Sequence, residues 1–308
     1  MPANRRSDVA KRKPSIYSFE RWHGAFVALM NHLVGAATRI AMQSLVGIGR
    51  YMPDAANTWT VTHQRTATRV RQGVDYDVPP QAMWHNYAAS PREYLAGGKS
   101  DADAMRRILA DNGYSYSGGD KILEWGCGSG RITRWLADLA VNGEYWGVDI
   151  QESQIRWCRE HLGWPFQFAT TTTIPHLPFE DNFFHLVVSD VFANLREFPF
   201  AWLLELRRVT APGGTLYLVI QDRHSVGVVL RTRSGDATPS LRRAYQELER
   251  QLRDPWAMIV VNRGKGAWDV VYDLDYVREA WGRLFDVIAT EREVYAGMGT
   301  AVVLQKPG

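Results

Sequence analysis

Cysteine is nearly absent from this chain of 308 residues, which contains only Cys127 and Cys158. Two thiols give neither a disulfide framework nor a metal-ligand spacing, and they suit a reducing, cytoplasmic setting. Long uncharged apolar runs are also lacking. The most apolar stretch, residues 24–49, is interrupted by Asn31, His32 and Arg39. It reads as an amphipathic helix with a polar stripe and not as a membrane span. Asp8, Glu20 and Arg21 precede it, which argues against a cleavable leader.

Charge of one sign is not in large excess, the net being +3, but it is unevenly spread. Residues 1–80 carry eleven Lys/Arg against five Asp/Glu, a net of +6, leaving −3 for the rest. A slightly acidic main body argues against nucleic acid as a partner. Five of the basic residues fall between Asn4 and Lys13. That tail is either solvated or a docking patch for an acidic surface. The helix at 24–49 has three open roles: a lid or homodimer contact, a membrane-surface attachment through residues 1–50, or a wall of an apolar acceptor pocket. Residues 51–80 read as a linker or wrapped arm ending at Pro79-Pro80. The chain thus divides into an extension, 1–80, and a main domain, 81–308, long enough to bury a sizeable core.

The main domain is organised around Lys121-Ile-Leu-Glu-Trp-Gly-Cys-Gly-Ser-Gly-Arg131. A short apolar run, alternate glycines and the pattern Ile132 to Leu139 predict a buried strand turning sharply into a helix. Glycines at 126, 128 and 130 allow positive φ and close approach of a ligand to the main chain. Nineteen residues after Gly130, the run Glu144-Tyr-Trp-Gly-Val-Asp149 ends in a second acid, placed to meet a ribose diol at a strand tip. Glu124, in the first strand's tip, discriminates between ligands. It would repel a pyrophosphate and hold an ammonium.

The segments ILEWGCGSGR, GVDIQESQIRWC, LPFEDNFFHLVVSDVF and LRRVTAPGGTLYLV resemble, in order and spacing, the motifs of class I S-adenosylmethionine-dependent methyltransferases. The likeness covers about residues 82–308. It implies an α/β fold, a Rossmann-like seven-stranded mostly parallel sheet with helices on both faces, a helical N-terminal extension and an insertion after strand five. It also implies S-adenosyl-L-methionine as cofactor. Glu124 and the loop Gly126, Cys127, Gly128 and Gly130 would hold the methionine end and Asp149 the ribose, with Arg131, Ile150 and Asp190 beside them. The family usually has an acid after strand three, whereas this chain has Thr170 to Thr173, so Thr173 or a backbone carbonyl would meet the adenine amino group.

A general base is harder to assign. Asn194 stands where relatives often carry histidine, and an amide is no base near neutral pH. His224, just after strand five, and Asp190 are the candidates. The motif wording is most similar to bacterial type 11/25-like enzymes of surface-polysaccharide and small-molecule pathways. That implies O-methylation of a sugar or secondary metabolite. A lipid or prenylated acceptor at a membrane surface, and a cofactor-binding protein without transfer activity, remain alternatives. The aromatic set Trp84, His85, Tyr87 and Tyr94 either packs in the core or folds over the cofactor.

The remaining elements expected are helices near 102–111, 155–162, 202–210, 241–253 and 276–284. Ser90-Pro-Arg-Glu93 forms a capping box, and Ala211-Pro-Gly-Gly214 a helix stop. A hairpin joins Met258–Val261 to Trp268–Tyr272. Residues 224–273 form an insertion read as a substrate cap.

Overall fold

The computed structural model describes residues 71–85, 87–232, 246–248, 250, 257–264, 267–295 and 297–308. The basic tail, the apolar helix at 24–49, most of the linker and most of the helix expected at 241–253 lie outside the described residues.

The strands are β1 (Lys121–Trp125), β2 (Glu144–Asp149), β3 (Phe166–Thr170), β4 (Phe184–Ser189), β5 (Thr210–Ile220), β8 (Asp286–Val294) and β9 (Gly299–Gln305). They form one seven-stranded sheet in the order β3-β2-β1-β4-β5-β9-β8. The β3-β2-β1-β4-β5 pairings are all parallel, and β9 alone runs against its neighbours β5 and β8. Strand order reverses between β1 and β4, which opens a crevice at their carboxyl ends.

Both sheet faces are buried because successive side chains point to opposite sides. Ile122, Tyr145, Leu186 and Tyr217 join one core with Met105, Ile108 and Leu109. Their neighbours Leu123, Trp146, Val187 and Leu218 join the other with Trp202, Leu203 and Leu206. The helices on these faces are α1 (Pro91–Asp111), α2 (Ala137–Asn142), α3 (Glu152–His161), α4 (Pro199–Val209), α5 (Arg223–Thr232) and α6 (Leu274–Ala280).

Four expectations need correction. The helix expected at 132–139 is a 3-10 turn, Thr133–Trp135, followed after Leu136 by the short α2. The reason is Arg134, which is fully buried and donates to the carbonyls of Gly130 and Asp77. It is spent on pinning the arm at 71–80, where Tyr76 is also buried. Residues 91–111 form one continuous helix, starting at the Ser90 cap as expected, and do not break into a capped first helix and a further one at 102–111. Gly98 permits this, since a Cβ there would lie 2.3 Å from the Arg131 carbonyl. Ala211 to Gly214 belong to β5, with a register shift against β4, and do not merely stop a helix. The Lys306 ammonium holds this start of the strand through Asn182 and the carbonyls of Arg207 and Thr210. The helix expected at 276–284 is α6, beginning at Leu274, followed by a 3-10 turn, Trp281–Arg283.

The expected hairpin is present as β6 (Met258–Gly264) and β7 (Ala267–Tyr272), paired antiparallel. It docks at the carboxyl end of β5, where Tyr272 N–H donates to the Gln221 carbonyl at 2.8 Å.

Candidate active site

The carboxyl ends of β1 and β4 border a narrow cleft. Asp101 and Met105 of α1, Glu124, Ser189, Asp190 and Tyr295 are among its lining residues. Glu124 shares the Ile122 face of β1, so the alternation of the strand carries a carboxyl into this cleft. It is 5% exposed, and its Oε2 accepts from the Thr133 and Tyr145 hydroxyls, both at 2.6 Å. Among the described residues Oε1 has no hydrogen-bond partner. Burial pushes the carboxyl up to about 7, against the two hydroxyl donors, with Asp190 adding to the rise. Burial and the Glu124 charge hold the Tyr145 phenol well above its ordinary value, so it stays a donor.

Gly126, Gly128 and Gly130 all have positive φ, at 87°, 53° and 73°. Their surroundings differ. A Cβ would lie 2.2 Å from Val191 at Gly126 and 2.3 Å from Leu162 at Gly130, whereas at Gly128 it would meet only the Gln154 amide oxygen, at 3.0 Å. At Gly128 the nearest neighbour is thus the far end of one side chain and not packed core. Cys127 is buried, and burial holds its thiol well above the ordinary value, which makes it a space-filling residue and not a nucleophile.

Asp149 accepts from Gly128 N–H at 2.9 Å through Oδ2 and from Gln151 N–H at 2.8 Å through Oδ1. Burial raises its pKa against those two backbone donors. Ile150 beside it is 54% exposed, an apolar surface at the strand tip. After β3, Thr171 is the threonine whose hydroxyl is buried and unpartnered among the described residues. Thr173 lies two residues further along and is only half-buried.

The aromatic set divides. Trp84 and Tyr94 are buried and stack at 5.4 Å. His85 and Tyr87 instead reach the site, His85 toward the Gln151 and Gln154 amides and Tyr87 toward Asp190. Asp190 Oδ2 accepts from the Tyr87 hydroxyl at 3.3 Å and from the Tyr295 hydroxyl. Arg131 does not reach into the glycine loop. Its guanidinium lies 4.7 Å from the ring centres of both Tyr87 and Tyr295, and it pairs with Asp101 at 2.7 Å.

His224 does not line the cleft. It stands in the first turn of α5, with its Nε2 3.1 Å from Glu293. Asn194 is exposed. Sequence reasoning missed Asp101, Tyr145 and Tyr295. No local pattern marks them, since each reaches the site through a tertiary contact. The signal nearest to one is the turn Tyr295 to Gly299, with glycines at 297 and 299 between two strands.

Among proteins of known family, residues 122–214 match the family described as "Methyltransferase domain". Residues 122–214 carry a methyltransferase domain. The match spans β1 to the start of β5, so the glycine loop, Asp149, the threonine run and Asp190 all lie within this methyltransferase domain. The protein described as "Ubiquinone/menaquinone biosynthesis C-methyltransferase UbiE" of Neisseria gonorrhoeae is 36% identical over 109 residues, 33% of this chain and 42% of that protein. Its namesake from Burkholderia cenocepacia is 36% identical over 107 residues, 33% of this chain and 43% of that protein. The aligned region is thus less than half the length of these curated relatives. The solved structure of the PH0226 protein from Pyrococcus horikoshii shares the fold, with a TM-score of 0.51 at 20% identity over 72% of this chain and 98% of that one.

The residues of the methyltransferase domain fit S-adenosylmethionine. A carboxyl oxygen without a protein partner stands beside a left-handed glycine loop, an acid ends β2, and an apolar side chain and an orphaned hydroxyl stand just beyond β2 and β3.

Proposed function

We propose that the protein transfers the methyl group of S-adenosylmethionine to a small-molecule acceptor, with a hydroxyl of a sugar or secondary metabolite as the methylated group. The observation that carries this reading is Glu124, a buried carboxyl with one free oxygen at the head of the glycine loop. Bound there, the cofactor supplies a sulfonium that activates its own methyl group. Glu124 would hold the ammonium and Asp149 would accept from the ribose hydroxyls, while the N–H groups of Gly126, Cys127, Gly128 and Gly130 are already donated within the protein. Ile150 covers one adenine face, and Thr171, not Thr173, meets its polar edge.

Asp149→Ala is expected to weaken cofactor binding by about 10-fold to 10²-fold, the scale of charge-assisted hydrogen bonds. Calorimetry with S-adenosylhomocysteine measures it. Unchanged affinity would remove Asp149 from the ribose site.

Of the two candidate bases, we assign proton removal to Asp190, because it lines the cleft whereas His224 faces Glu293 outside it. Asp190→Asn should lower turnover by about 10², the usual scale for a lost general base. His224→Ala should leave turnover within about threefold. The opposite ranking in a tritiated-methyl transfer assay would return the role to His224.

Carbon methylation of a prenylated or lipid acceptor is the second reading, favoured by the likeness to the UbiE C-methyltransferases. A ring carbon made nucleophilic by a neighbouring phenolate needs alignment more than a base. Screening cell extracts with methyl-labelled cofactor, then locating the label on oxygen or carbon by NMR, separates the two readings. If no acceptor pool is labelled by protein that binds the cofactor, both fail.

A further inference from the structure

A second cavity, of about 270 Å³, lies at the seam between the sheet and the hairpin insertion. The sheet side contributes Asp222, Arg223 and Arg292, the hairpin its last residue, Tyr272, and the segment after it Asp273, Asp275 and Arg278. The charges look balanced, yet the hydrogen-bonding groups are not. Each carboxylate already has a structural task. Asp222 is 1% exposed and caps α5, accepting from the Ser225 N–H at 3.0 Å and the Ser225 hydroxyl at 3.1 Å. Asp273 caps α6 through the N–H groups of Asp275 and Tyr276. Asp275 takes Arg278 Nη1 at 2.8 Å, and Asp222 also takes Arg292 Nε at 3.1 Å.

What is left over is donors. Arg292 and Arg278, both about half exposed, each spend one nitrogen on a carboxylate, which leaves further N–H groups of both guanidinium forks open to solvent or to a ligand. Tyr272 is 1% exposed, and its hydroxyl has no partner among the described residues. Burial accordingly raises its pKa. A buried hydroxyl without a partner costs free energy unless something fills the space beside it.

The cavity is also close to the chemistry along the chain. Arg292 lines it, Glu293 meets His224, Val294 is buried in the core, and Tyr295 lines the cofactor cleft. Three residues of chain span about 10 Å at most.

We infer that this cavity binds an oxyanion, a carboxylate or a phosphate, carried by the acceptor, with Arg292, Arg278 and the Tyr272 hydroxyl as its donors. The assignment of the oxyanion to the acceptor rests on the methyl-transfer reading; the existence of the site does not. It makes the acceptor an anionic small molecule whose charged group anchors at the seam while its reacting atom reaches past Tyr295.

The test uses the full chain and inorganic phosphate as probe. Equilibrium dialysis with labelled phosphate at low salt should show saturable binding to one site. Arg278→Gln should weaken it at least tenfold and Tyr272→Phe at least threefold. Affinity for S-adenosylhomocysteine should stay within twofold in both variants. Tyr272→Phe removes a hydroxyl that holds nothing in the fold, so it keeps the test valid should an arginine variant unfold. No saturable binding, or equal binding by wild type and both variants, means a hydrated cavity only and overturns the site. A second arm incubates the protein with methyl-labelled cofactor and extract fractions split by anion exchange. Label in the retained, anionic fraction is the expected result. Label confined to the unretained fraction refutes the anionic acceptor while methyl transfer stands. No label in any fraction defeats the methyl-transfer reading and the acceptor assignment together, while the phosphate arm still decides the site.

Discussion

Replacing Glu124 by glutamine is expected to weaken S-adenosylmethionine binding by about 10² and, at the same time, to stabilise the ligand-free protein above neutral pH. The two effects share a cause. Burial lifts the Glu124 carboxyl from the ordinary 4.5 to about 7, so its ionised form is disfavoured by about 3 kcal/mol in the fold. In the unfolded chain the group ionises near 4.5. Below that value both states are protonated and the group is neutral in its effect. Between 4.5 and 7 only the unfolded state ionises, so stability falls as pH rises, and the full penalty is present above 7. Glu124→Gln removes the penalty, giving a gain that grows between pH 5 and 8 in urea unfolding. The same ionisation governs ligand affinity. A cationic amine requires the carboxylate, so affinity should be level above pH 7 and fall toward tenfold per pH unit below it. Calorimetry in buffers of different ionisation enthalpy should detect the released proton. A glutamine variant that binds with wild-type affinity would sink the ammonium assignment.

The glycine loop should separate into a folding position and a binding position. Gly126→Val is expected to cost at least 3 kcal/mol, because it combines a φ of 87° with a branched side chain built 2.2 Å from Val191. Gly128→Ala should cost only the backbone strain of about 1 to 2 kcal/mol. It should nevertheless reduce cofactor affinity by at least tenfold, since its Cβ stands where a ligand approaches the main chain. Thermal unfolding and calorimetry on the two proteins give the contrast. If Gly128→Ala keeps full affinity, the loop is a turn and not a cradle.

The parts of this fold legible from the sequence were those fixed by local period. The strands at 121–125, 144–149 and 184–189 are apolar on both faces and end at glycine or acid, and the hairpin at 258–272 surrounds a glycine turn. What local period does not reveal was set by distant partners. Arg134 looks like an exposed helix residue until it is seen to hold the arm carbonyl of Asp77, and that contact replaces the expected helix. His224 follows β5 closely in sequence, but the first turn of α5 gives it to Glu293. Thr171 and Thr173 are indistinguishable in a run of threonines. Only the pairing of Thr171 N–H with the Asp149 carbonyl fixes which one is buried beside β2. Tyr295 depends on a left-handed backbone, with a φ of 57°, that no residue preference announces.

The sandwich of Tyr87, Arg131 and Tyr295 has a consequence for time as well as for shape. It fastens the arm, the turn after the glycine loop and the β8–β9 turn to one guanidinium, itself tied to α1 through Asp101. Tyr87 and Tyr295 both bond Asp190 in the cleft, so entry and exit of a nucleoside-sized ligand are expected to require that this fastening open. Residence time on the protein is then expected to follow how often the arm lets go. The arm's grip in turn is held by Arg71 on the carbonyls of His161 and Leu162 and by Arg134 on Asp77, contacts that touch no reacting atom. Substitutions there should change the speed of product release while leaving the strength of equilibrium binding nearly as it was.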